Sequence, residues 1–568
     1  MGAEDTTIAA GELSVAPVSP VPLTERVLDR LADWDARVRT RWPFAALVGP
    51  DISPGQVPGD GSRLLVRPAV LGFVAITAIT LGVCQQRSPF ALKLPGAWFL
   101  GVPDQGAAAS PHDLLLGLVA VYGGLLLLMR VWYGLIRTLS QVPGVPVRKL
   151  VAVCALWVVP LLVAPPLFSR DVYSYAAQGE MMSHHISPYH YGPGVLGAAP
   201  SVSLVDPLWL NTPAPYGPLF MEADGLITQV SGHHELPDLV LLRLLAVVGV
   251  ALIALAVPTL ARSMGRDPAY VFTIAVLNPV SMLHLVGGAH NDALMLGLLA
   301  VGLALAKRGR PVAGIVVCAL AAAVKVPAAI GVLYIGWEWM GAGVPVRARI
   351  RPLVTAGLIA AAVMGGLSIV TGLGWSWVLN LATPGTVRSW VAPATGAGIV
   401  LTDLAHLVHL AVPMHVVLSM TRLLGLGVAA GVGVWLLWRV DRFGTLRSMG
   451  ITMLLVVALG PVVQPWYLSW GLVLLAPVAT GRVRTLIVGF SVASAFIGLP
   501  GGRQLVVDLL HANPATVAVS LLACLAILTV PLTPFDREQL LPRWRRRSGG
   551  GGPGVGGDPV PELDLAGA

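Results

Sequence analysis

The amino-acid sequence predicts an all-α membrane protein that crosses the bilayer many times. Hydrophobic residues occupy 55% of the 568 positions, charged residues only 12%, and the mean hydropathy is +0.76. A soluble domain of ordinary composition carries about 25% charged residues. Apolar runs close to the length of a membrane span recur along most of the chain. These observations favour a polytopic helical bundle over any soluble fold.

The formal net charge is +8, which in a soluble protein would suggest nucleic-acid binding. Here the excess of Lys and Arg falls in short loops between apolar runs, so membrane topology accounts for it and no nucleic-acid partner is expected. The cysteines lie within or beside apolar runs without C-x-x-C spacing, which indicates packing roles. They are Cys84, Cys154, Cys318 and Cys524.

About fourteen apolar runs are candidates for membrane spans, and a count of thirteen is close behind. A span needs roughly 20 apolar residues, so several runs are short for a bilayer of standard thickness. In chain order the runs cover residues 65–83, 114–136, 150–168, 239–261, 269–286, 293–306, 312–324, 327–340, 354–371, 416–438, 449–463, 468–478, 485–497 and 517–532. The apolar stretch 399–413 is interpreted as interfacial.

Three regions follow from this pattern. Residues 1–64 are polar and Pro-rich and are expected to form a cytosolic leader, in which residues 23–34 have the apolar spacing of an amphipathic helix on the inner membrane surface. Residues 65–535 form the membrane domain, with residues 169–238 as a long external loop after the third span. Residues 536–568 form a basic, Gly-rich cytosolic tail.

Clusters of Lys and Arg predict the orientation. With this span count every cluster falls on one side, and the positive-inside rule makes that side cytoplasmic. The clusters are Arg63/Arg67, Arg137/Arg148/Lys149, Arg262/Arg266, Lys307/Arg308/Arg310, Arg347/Arg349/Arg351, Arg439/Arg442/Arg447, Arg482/Arg484 and Arg543/Arg545/Arg546/Arg547. Both termini are therefore predicted to be cytoplasmic, and the long loop to be extracytoplasmic.

Asp171 is the most informative single residue. It directly follows an apolar run, beside Arg170 and ahead of Tyr173 and Tyr175. A carboxylate at the mouth of a span is costly unless water, a partner or a substrate accounts for it. Loops as long as the one that follows are usually functional. Asp171 is predicted to be the base of an active site; the alternative is an interfacial Asp that pairs with Arg170 beside an aromatic belt.

Two further polar groups interrupt apolar sequence. His290, Asn291 and Asp292 form a tight turn between two runs, where they could hold a sugar or assist the base. The alternative is that Asn291 or Asp292 caps the following helix. Lys325 lies at a bend in another apolar stretch and is interpreted as a counter-charge for a lipid phosphate. Snorkelling to the interface is its alternative.

The last group of candidate residues is aromatic and basic. Pro465 breaks a helix on the predicted outer face and exposes Gln464, Trp466 and Tyr467, which could bind a sugar. Anchoring in the aromatic belt would explain the Trp and Tyr equally well. Arg388 is one of few cations on the same face. It is interpreted as a contact for phosphate or a lipid headgroup, or as the partner of a nearby acid.

No motif for a metal or a soluble nucleotide is present in the sequence. Adjacent histidines occur at His184/His185 and His233/His234, but they match no metal-binding spacing, so no metal site is expected. The chain also lacks a P-loop, a G-x-G-x-x-G after a strand and an H-E-x-x-H sequence.

Together these motifs resemble the polyprenol-phosphate-mannose-dependent α-1,6-mannosyltransferases of mycobacteria and their relatives, which extend lipomannan. The resemblance covers roughly residues 65–535. In chain order it is carried by RDVYSY at 170–175, SPY at 187–189, TPAPYGP at 212–218, HNDALM at 290–295, KVP at 325–327 and QPWY at 464–467.

The resemblance implies a GT-C-type bundle of about 13–14 transmembrane helices in the plasma membrane, with an extracytoplasmic active site. It implies polyprenyl-phosphate-mannose as donor, a phosphatidylinositol mannoside or lipomannan as acceptor, inversion at the anomeric carbon, and no cofactor or divalent metal. An Asp in the first large external loop is the usual base of such enzymes, and Asp171 matches it. One departure is that this loop follows the third span here, whereas in many of them it follows the first.

The resemblance also implies residue roles. Asp171 would deprotonate the 6-hydroxyl of the acceptor mannose, and Lys325, helped by Arg388, would stabilise the leaving phosphate. A larger set would bind and orient the sugars: Arg170, Tyr173, Tyr175, Tyr189, Tyr216, His290, Asn291, Asp292, Gln464, Trp466 and Tyr467.

Two alternatives stay open from the sequence alone. An arabinosyl or glucosyl transferase could use the same fold and a lipid-phosphate donor. A lipid-carrier flippase or transporter would line a path with ionisable residues deep inside its spans. Few such residues occur, because Arg243, His284, Glu338 and Arg422 all fall near span ends.

Overall fold

The computed structural model describes residues 63–85, 88, 98–99, 110–497 and 514–529. Most of these residues are α-helical; short π and 3-10 segments and loops join the helices, and no β-strand occurs among the described residues. The predicted all-α class is therefore confirmed. The predicted leader helix at residues 23–34 and the tail at residues 536–568 lie outside the described residues.

The described α-helices are numbered here in chain order. They are α1 (Arg63–Cys84), α2 (Pro111–Leu118), α3 (Gly124–Gln141), α4 (Val147–Val163), α5 (Asp171–Ser183), α6 (Pro200–Leu204), α7 (Pro218–Val230), α8 (Glu235–Ser263), α9 (Pro268–Ala275), α10 (Asp292–Lys307), α11 (Pro311–Val324), α12 (Ile330–Glu338), α13 (Val346–Val370), α14 (Pro393–Leu407), α15 (Met414–Trp438), α16 (Val440–Phe443), α17 (Thr445–Leu459), α18 (Ser469–Leu475), α19 (Gly481–Ile497) and α20 (Pro514–Thr529).

Five helical segments in the described chain are long and apolar enough to cross a membrane. They are Leu64–Cys84, Leu115–Gln141, Glu235–Ser263, Val346–Val370 and Met414–Trp438. A sixth results if the segments Ser281–Gly287 and Asp292–Lys307, bent by 114° at a short break, are counted as one span. The protein is thus a multi-pass membrane protein. The total of 13–14 spans stays a prediction, because the other apolar helices are shorter than a standard span.

Helix α10 lies at the centre of the bundle. Its sequence is apolar on all sides, and such helices are stable only when they are enclosed by other helices. Accordingly, almost all its residues from Asp292 to Ala304 are buried. It packs between α8 and α11. Because α10 begins at Asp292, the packing of α10 between α8 and α11 also fixes the position of the polar turn that precedes it.

The predicted span 269–286 is broken in the structure. Helix α9 ends at Ala275, and a π-helical segment runs from Ser281 to Gly287. Between them, the Asn278 side chain accepts from the backbone N–H of Val280 (2.9 Å) and donates to Ser491 Oγ (2.8 Å). Pro279 follows and has no N–H to donate, so the α-helical ladder cannot continue. This break and the bend after it turn the chain into α10.

Three of the basic loops lie at the opposite end of α10 from Asp292. Lys307 ends this helix, about 22 Å along its axis from Asp292, and pairs with Glu338 (3.3 Å). Arg349 at the start of α13 pairs with Asp441 in α16 (2.7 Å), and this ion pair joins two other basic loops. These three loops are thus separated from the turn at Asp292 by the length of α10.

The long loop after α4 contains α5, α6 and α7, and α5 packs against α7. It is attached to the bundle at Gly217, whose N–H donates to the carbonyl of Val324 (3.0 Å) at the end of α11. A Cβ at position 217 would lie 2.2 Å from the carbonyl oxygen of Ala323. Only glycine allows this approach, so the loop meets the bundle directly beside Lys325.

Candidate active site

A cavity that is partly open to solvent lies beside the N-terminus of α5, where Asp171 is the first helical residue; its empty volume, open solvent included, is about 540 Å³. The cavity is lined by residues of α5, of the long loop, of the 3-10 segment Ser376–Thr386 and of the chain before α18. They are Asp171, Ser174, Gln178, Trp209, Thr212, Pro213, Pro215, Tyr216, Thr383, Val387, Val462, Gln464 and Tyr467.

Three polar side chains of α5 share the face that lines this cavity. Asp171, Ser174 and Gln178 are spaced by three and four residues, which places them on one side of a helix. Asp171 was predicted as a site residue, whereas Ser174 and Gln178 were not. The signal that could have found them is their helical spacing from Asp171, which is usable only if residues 171–183 are known to be helical.

The Asp171 carboxylate is largely removed from water, since its side chain is 19% exposed. Burial raises the pKa of this carboxyl from 3.8 to about 6, because the ionised form is poorly solvated there. The positive charge of Lys325 lowers the pKa, and the negative charges of Asp292 and Asp206 raise it further. The pKa of Asp171 is therefore set first by burial and then by charges from distant parts of the chain.

His290 lies behind Asp171 and does not line the cavity. It is fully buried, and its Nδ1 is 3.7 Å from Asp171 Oδ2. Its ring stacks on Trp466, with centroids 3.8 Å apart and an angle of 19°. A Cβ at position 288 would lie 2.8 Å from the His290 ring, so Gly288 leaves the space that the ring needs. The predicted sugar contacts His290 and Trp466 thus form a support behind the carboxylate.

Lys325 and Asp292 form a buried ion pair beside the cavity. The Lys325 ammonium donates to both carboxylate oxygens of Asp292 (3.0 and 2.9 Å), and Trp470 Nε1–H donates to one of them (2.6 Å). The ammonium also lies 4.5 Å from the ring centroid of Tyr467, which itself lines the cavity. Lys325 therefore lies behind the cavity wall, held by a carboxylate, and snorkelling to the interface does not describe it.

The capping alternative for the turn at 290–292 is not observed. Asn291 occupies the N-cap position of α10 without a capping hydrogen bond from its side chain. Both polar atoms of that side chain are buried, with no hydrogen-bond partner among the described residues. Asp292 is bound to Lys325 instead. The sequence pattern suggested that Asn291 or Asp292 caps the helix that follows. In the structure Asp292 pairs with Lys325, which is 33 residues away in sequence.

Two non-glycine residues with left-handed backbone flank these site residues. Phe168 has φ +61° and Ala289 has φ +53°. Side chains other than Gly, Asn and Asp rarely adopt this conformation, and strain of this kind clusters at functional sites. The Leu167 N–H donates to the Gly287 carbonyl (2.9 Å), which ties the two turns together. The positions of Asp171 and His290 are thus coupled through the backbone.

The predicted loop tyrosines occupy different places. Tyr216 lines the cavity, and its carbonyl accepts from the Tyr189 hydroxyl (2.9 Å), so Tyr189 supports the same wall. Tyr175 is buried and packs edge-on against Tyr216 (5.4 Å) and Phe220 (5.2 Å). Tyr173 points to the opposite side of α5. There it lines a second cavity of about 490 Å³ together with residues such as Glu180 and Asp238.

Gln464 and Tyr467 line the main cavity as sequence reasoning suggested, whereas Arg170 does not. The Arg170 guanidinium donates to the carbonyls of Leu204 (2.6 and 2.9 Å) and Val205 (2.8 Å). It therefore fixes α6 and the loop after it, and it makes no ion pair with Asp171. The interfacial pairing considered for these two residues is not found.

Arg388 is exposed and directly follows Val387, which lines the cavity. A second cation, missed by sequence reasoning, lies beside it. The Arg422 guanidinium donates to the carbonyls of Gly385 (2.5 Å) and Val387 (2.7 Å). The segment that carries these carbonyls also contacts the long loop, because Asn380 donates to the carbonyl of Tyr189 (3.0 Å). The two arginines therefore lie next to the cavity wall at Val387, without lining the cavity themselves, and this edge is called the basic rim.

Within the part of the chain that the structure describes, no group of three or more His, Cys, Asp or Glu side chains has a geometry suited to a metal ion. The expected independence of metals stays a prediction.

Known proteins similar to this chain identify its family. Residues 69–341 match the family described as α-(1→6)-mannopyranosyltransferase, N-terminal domain, and residues 394–529 match the MptB C-terminal domain. The chain is 34% identical over 461 residues to α-(1→6)-mannopyranosyltransferase A of Mycobacterium tuberculosis, a match that covers 78% of this chain and 86% of the relative. No solved structure matches the chain.

A second relative is α-(1→6)-mannopyranosyltransferase B of Corynebacterium glutamicum. It is 31% identical over 376 residues, which cover 61% of this chain and 62% of the relative. These matches confirm the resemblance drawn from the sequence motifs. The chain therefore belongs to the α-(1→6)-mannopyranosyltransferase family of glycosyltransferases.

Proposed function

We propose that the protein transfers mannose from polyprenyl-phosphate-mannose to a mannolipid and forms an α-1,6 linkage with inversion. The observation that carries this proposal is the position of Asp171. Its carboxylate lies at the wall of a cavity, and the charges of the buried Lys325 and Asp292 act on it. A carboxyl with a raised pKa in a cleft is the usual arrangement for acid–base chemistry.

The transfer step follows from this position. The 6-hydroxyl oxygen of the acceptor mannose attacks the anomeric carbon of the β-linked donor from the side opposite the phosphate. As the new C–O bond forms, the bond from the anomeric carbon to the phosphate oxygen breaks, and its electrons leave with the polyprenyl phosphate. The hydroxyl proton passes to Asp171, which acts as general base. Attack from the opposite side converts the β linkage of the donor into an α linkage.

His290 is proposed to position Asp171. It lies 3.7 Å from the carboxylate on the side away from the cavity, and its stack on Trp466 fixes the ring. A base that is held in place by packing spends a larger fraction of its time in the reactive orientation. This role replaces the direct sugar contact that sequence reasoning suggested for His290 and Trp466.

The leaving phosphate is proposed to lie against the basic rim. Arg388 is exposed there, and Arg422 is held next to it through the carbonyls of Gly385 and Val387. Fixed guanidinium groups stabilise charge that develops on a phosphate without a metal ion. Lys325 is assigned a different task, since it is already paired with Asp292: its positive charge keeps the Asp171 pKa from rising further.

The acceptor is proposed to be a phosphatidylinositol mannoside or lipomannan at the outer face of the plasma membrane, with both chain termini in the cytoplasm. Support comes from the separation of the site from the basic loops, which lie at opposite ends of α10. Basic loops are retained on the cytoplasmic side.

A donor test separates this proposal from its rivals. Membranes that contain the protein are supplied with polyprenyl-phosphate-mannose, -arabinose or -glucose, each labelled in the sugar, and with GDP-mannose as a soluble donor. We expect label from the mannosyl lipid alone in glycolipid, in linkages that an α-1,6-specific mannosidase removes. Transfer of another sugar would assign a different transferase, and movement of labelled lipid across the bilayer without transfer would assign a transporter.

A further inference from the structure

Two polar atoms of residues that line the cavity have no hydrogen-bond partner among the described residues. Ser174 and Gln178 are each 4% exposed, and both line the cavity that holds Asp171. Ser174 Oγ and Gln178 Oε1 make no hydrogen bond to any of the described residues. A buried polar atom without a partner destabilises the folded protein, so such atoms usually bind something else.

The arrangement of these groups has a definite length. Asp171 and Gln178 are seven residues apart on the same helical face, about 10 Å along the axis of α5, with Ser174 between them. This distance exceeds the length of one hexose ring and approaches that of two linked rings. A single acceptor sugar whose hydroxyl reaches Asp171 would therefore leave Gln178 without a partner.

We infer that Asp171, Ser174 and Gln178 form an acceptor subsite for two consecutive sugars of a mannoside. The inference rests on the proposed transfer to a mannolipid. The terminal sugar places its 6-hydroxyl at Asp171, Ser174 bonds near the linkage, and Gln178 Oε1 accepts a hydroxyl hydrogen of the second sugar. The ring of Trp209, on another wall of the same cavity, offers an apolar surface to the C–H faces of the sugars.

This subsite predicts a preference for acceptor length. We would measure kcat/KM of the full-length protein in nanodiscs, with polyprenyl-phosphate-mannose as donor and alkyl glycosides of one or two α-1,6-linked mannoses as acceptors. The two-sugar acceptor is expected to be better by about tenfold, because it alone satisfies Gln178. The substitution Gln178→Met keeps the length of the side chain and removes its hydrogen bonds. It should bring the ratio of the two kcat/KM values close to one, mainly through KM of the two-sugar acceptor.

A matched control is Gln229→Ala, since Gln229 is exposed on α7 and lies outside the cavity. This variant should keep both the rates and the preference of the natural protein. If Gln178→Met fails to fold, Ser174→Ala makes the same test with a smaller change and should lower the ratio in part.

Three results would overturn the inference: no preference for two sugars in the natural protein, an unchanged ratio in Gln178→Met, or equal losses for both acceptors. The last result would mean that Gln178 supports the helix or binds an ordered water. Failure of the proposed function would look different, because the natural protein would then transfer no mannose from the lipid donor to either acceptor.

Discussion

Asp171 is governed by neighbours that the chain brings from far away. Burial raises the pKa of its carboxyl to about 6, Lys325 opposes this effect, and Asp292 adds to it. Lys325 and Asp292 also bind each other, so the two charges that tune the base form one pair. Substitutions at Asp171 therefore test the base itself, and substitutions at Lys325 or Asp292 test the charges that shift its pKa.

The first prediction concerns pH. Only the ionised carboxylate can accept the proton, so kcat/KM should rise with pH up to about 6 and level off above it. Lys325→Met removes the charge that lowers the Asp171 pKa, and the acidic limb should move to higher pH. Asp292→Asn removes a charge that raises the pKa, and the limb should move to lower pH. Shifts of both variants in the same direction would contradict this electrostatic account.

The second prediction concerns His290. His290→Phe keeps a ring on Trp466 but removes the nitrogen that lies 3.7 Å from Asp171. Since the base would then be less well oriented, the rate of transfer should fall by about 10- to 100-fold. The measurement is kcat with the lipid donor, together with the thermal unfolding midpoint in detergent. A full rate, or a loss explained by unfolding, would remove the positioning role.

At the level of elements, the site depends on how the long loop meets the bundle. Gly217 lies against the carbonyl of Ala323, where a Cβ would be only 2.2 Å away. Because backbone cannot yield as a side chain does, this contact fixes the approach of α7 and the wall formed by Tyr216. The loop is a structured part of the site, with its own helices α5 and α7.

The third prediction follows from this contact. Gly217→Ala should lower the free energy of unfolding by about 1–3 kcal/mol, as overpacking does, and should reduce transfer because the cavity wall shifts. The control is Gly431→Ala in α15, where a Cβ meets nothing within 4 Å. The thermal unfolding midpoint of the control should stay the same or rise slightly. Equal midpoints for Gly217→Ala and the natural protein would contradict the close approach.

Sequence patterns predicted the positions of the membrane helices better than the contacts between side chains of different helices. Apolar length identifies most of the membrane helices but not the helices of the long loop, and the motif around Asp171 identifies the cavity. The break at Asn278 was missed because an Asn-Pro pair interrupts an otherwise apolar run. Lys325 looked available for a phosphate because its partner, Asp292, is 33 residues away in sequence. Gln178 was missed because residues 171–183 have no apolar stripe from which a helix could be recognised.

For the whole molecule, the central expectation is that the site and the basic loops face opposite sides of the membrane. Two exposed serines test it: Ser203 in the long loop and Ser140 at the end of α3. In a background without the native cysteines, Ser203→Cys should react with a membrane-impermeant maleimide in intact cells. Ser140→Cys should react only after the membrane is opened. The reverse pattern would place the site on the cytoplasmic side and contradict the orientation.

Removal of the Asp171 charge should affect stability and activity differently. The folded state binds the Asp171 proton more tightly than the unfolded chain, whose carboxyl has a pKa near 3.8, so its stability contribution is present at low pH and is lost as pH rises through about 6. At neutral pH the ionised Asp171 therefore destabilises the protein. Asp171→Asn, a neutral side chain of the same shape, should unfold at the same temperature as the natural protein or higher.

The most direct measurement is transfer of labelled mannose from polyprenyl-phosphate-mannose by Asp171→Asn at neutral pH. Asp403→Asn serves as the control, since Asp403 is an exposed residue of α14 outside the cavity. We predict that Asp171→Asn loses transfer by about 100-fold or more while it stays folded and inserted, and that Asp403→Asn transfers normally. An Asp171→Asn protein that transfers mannose at the natural rate would contradict the role of Asp171 as base.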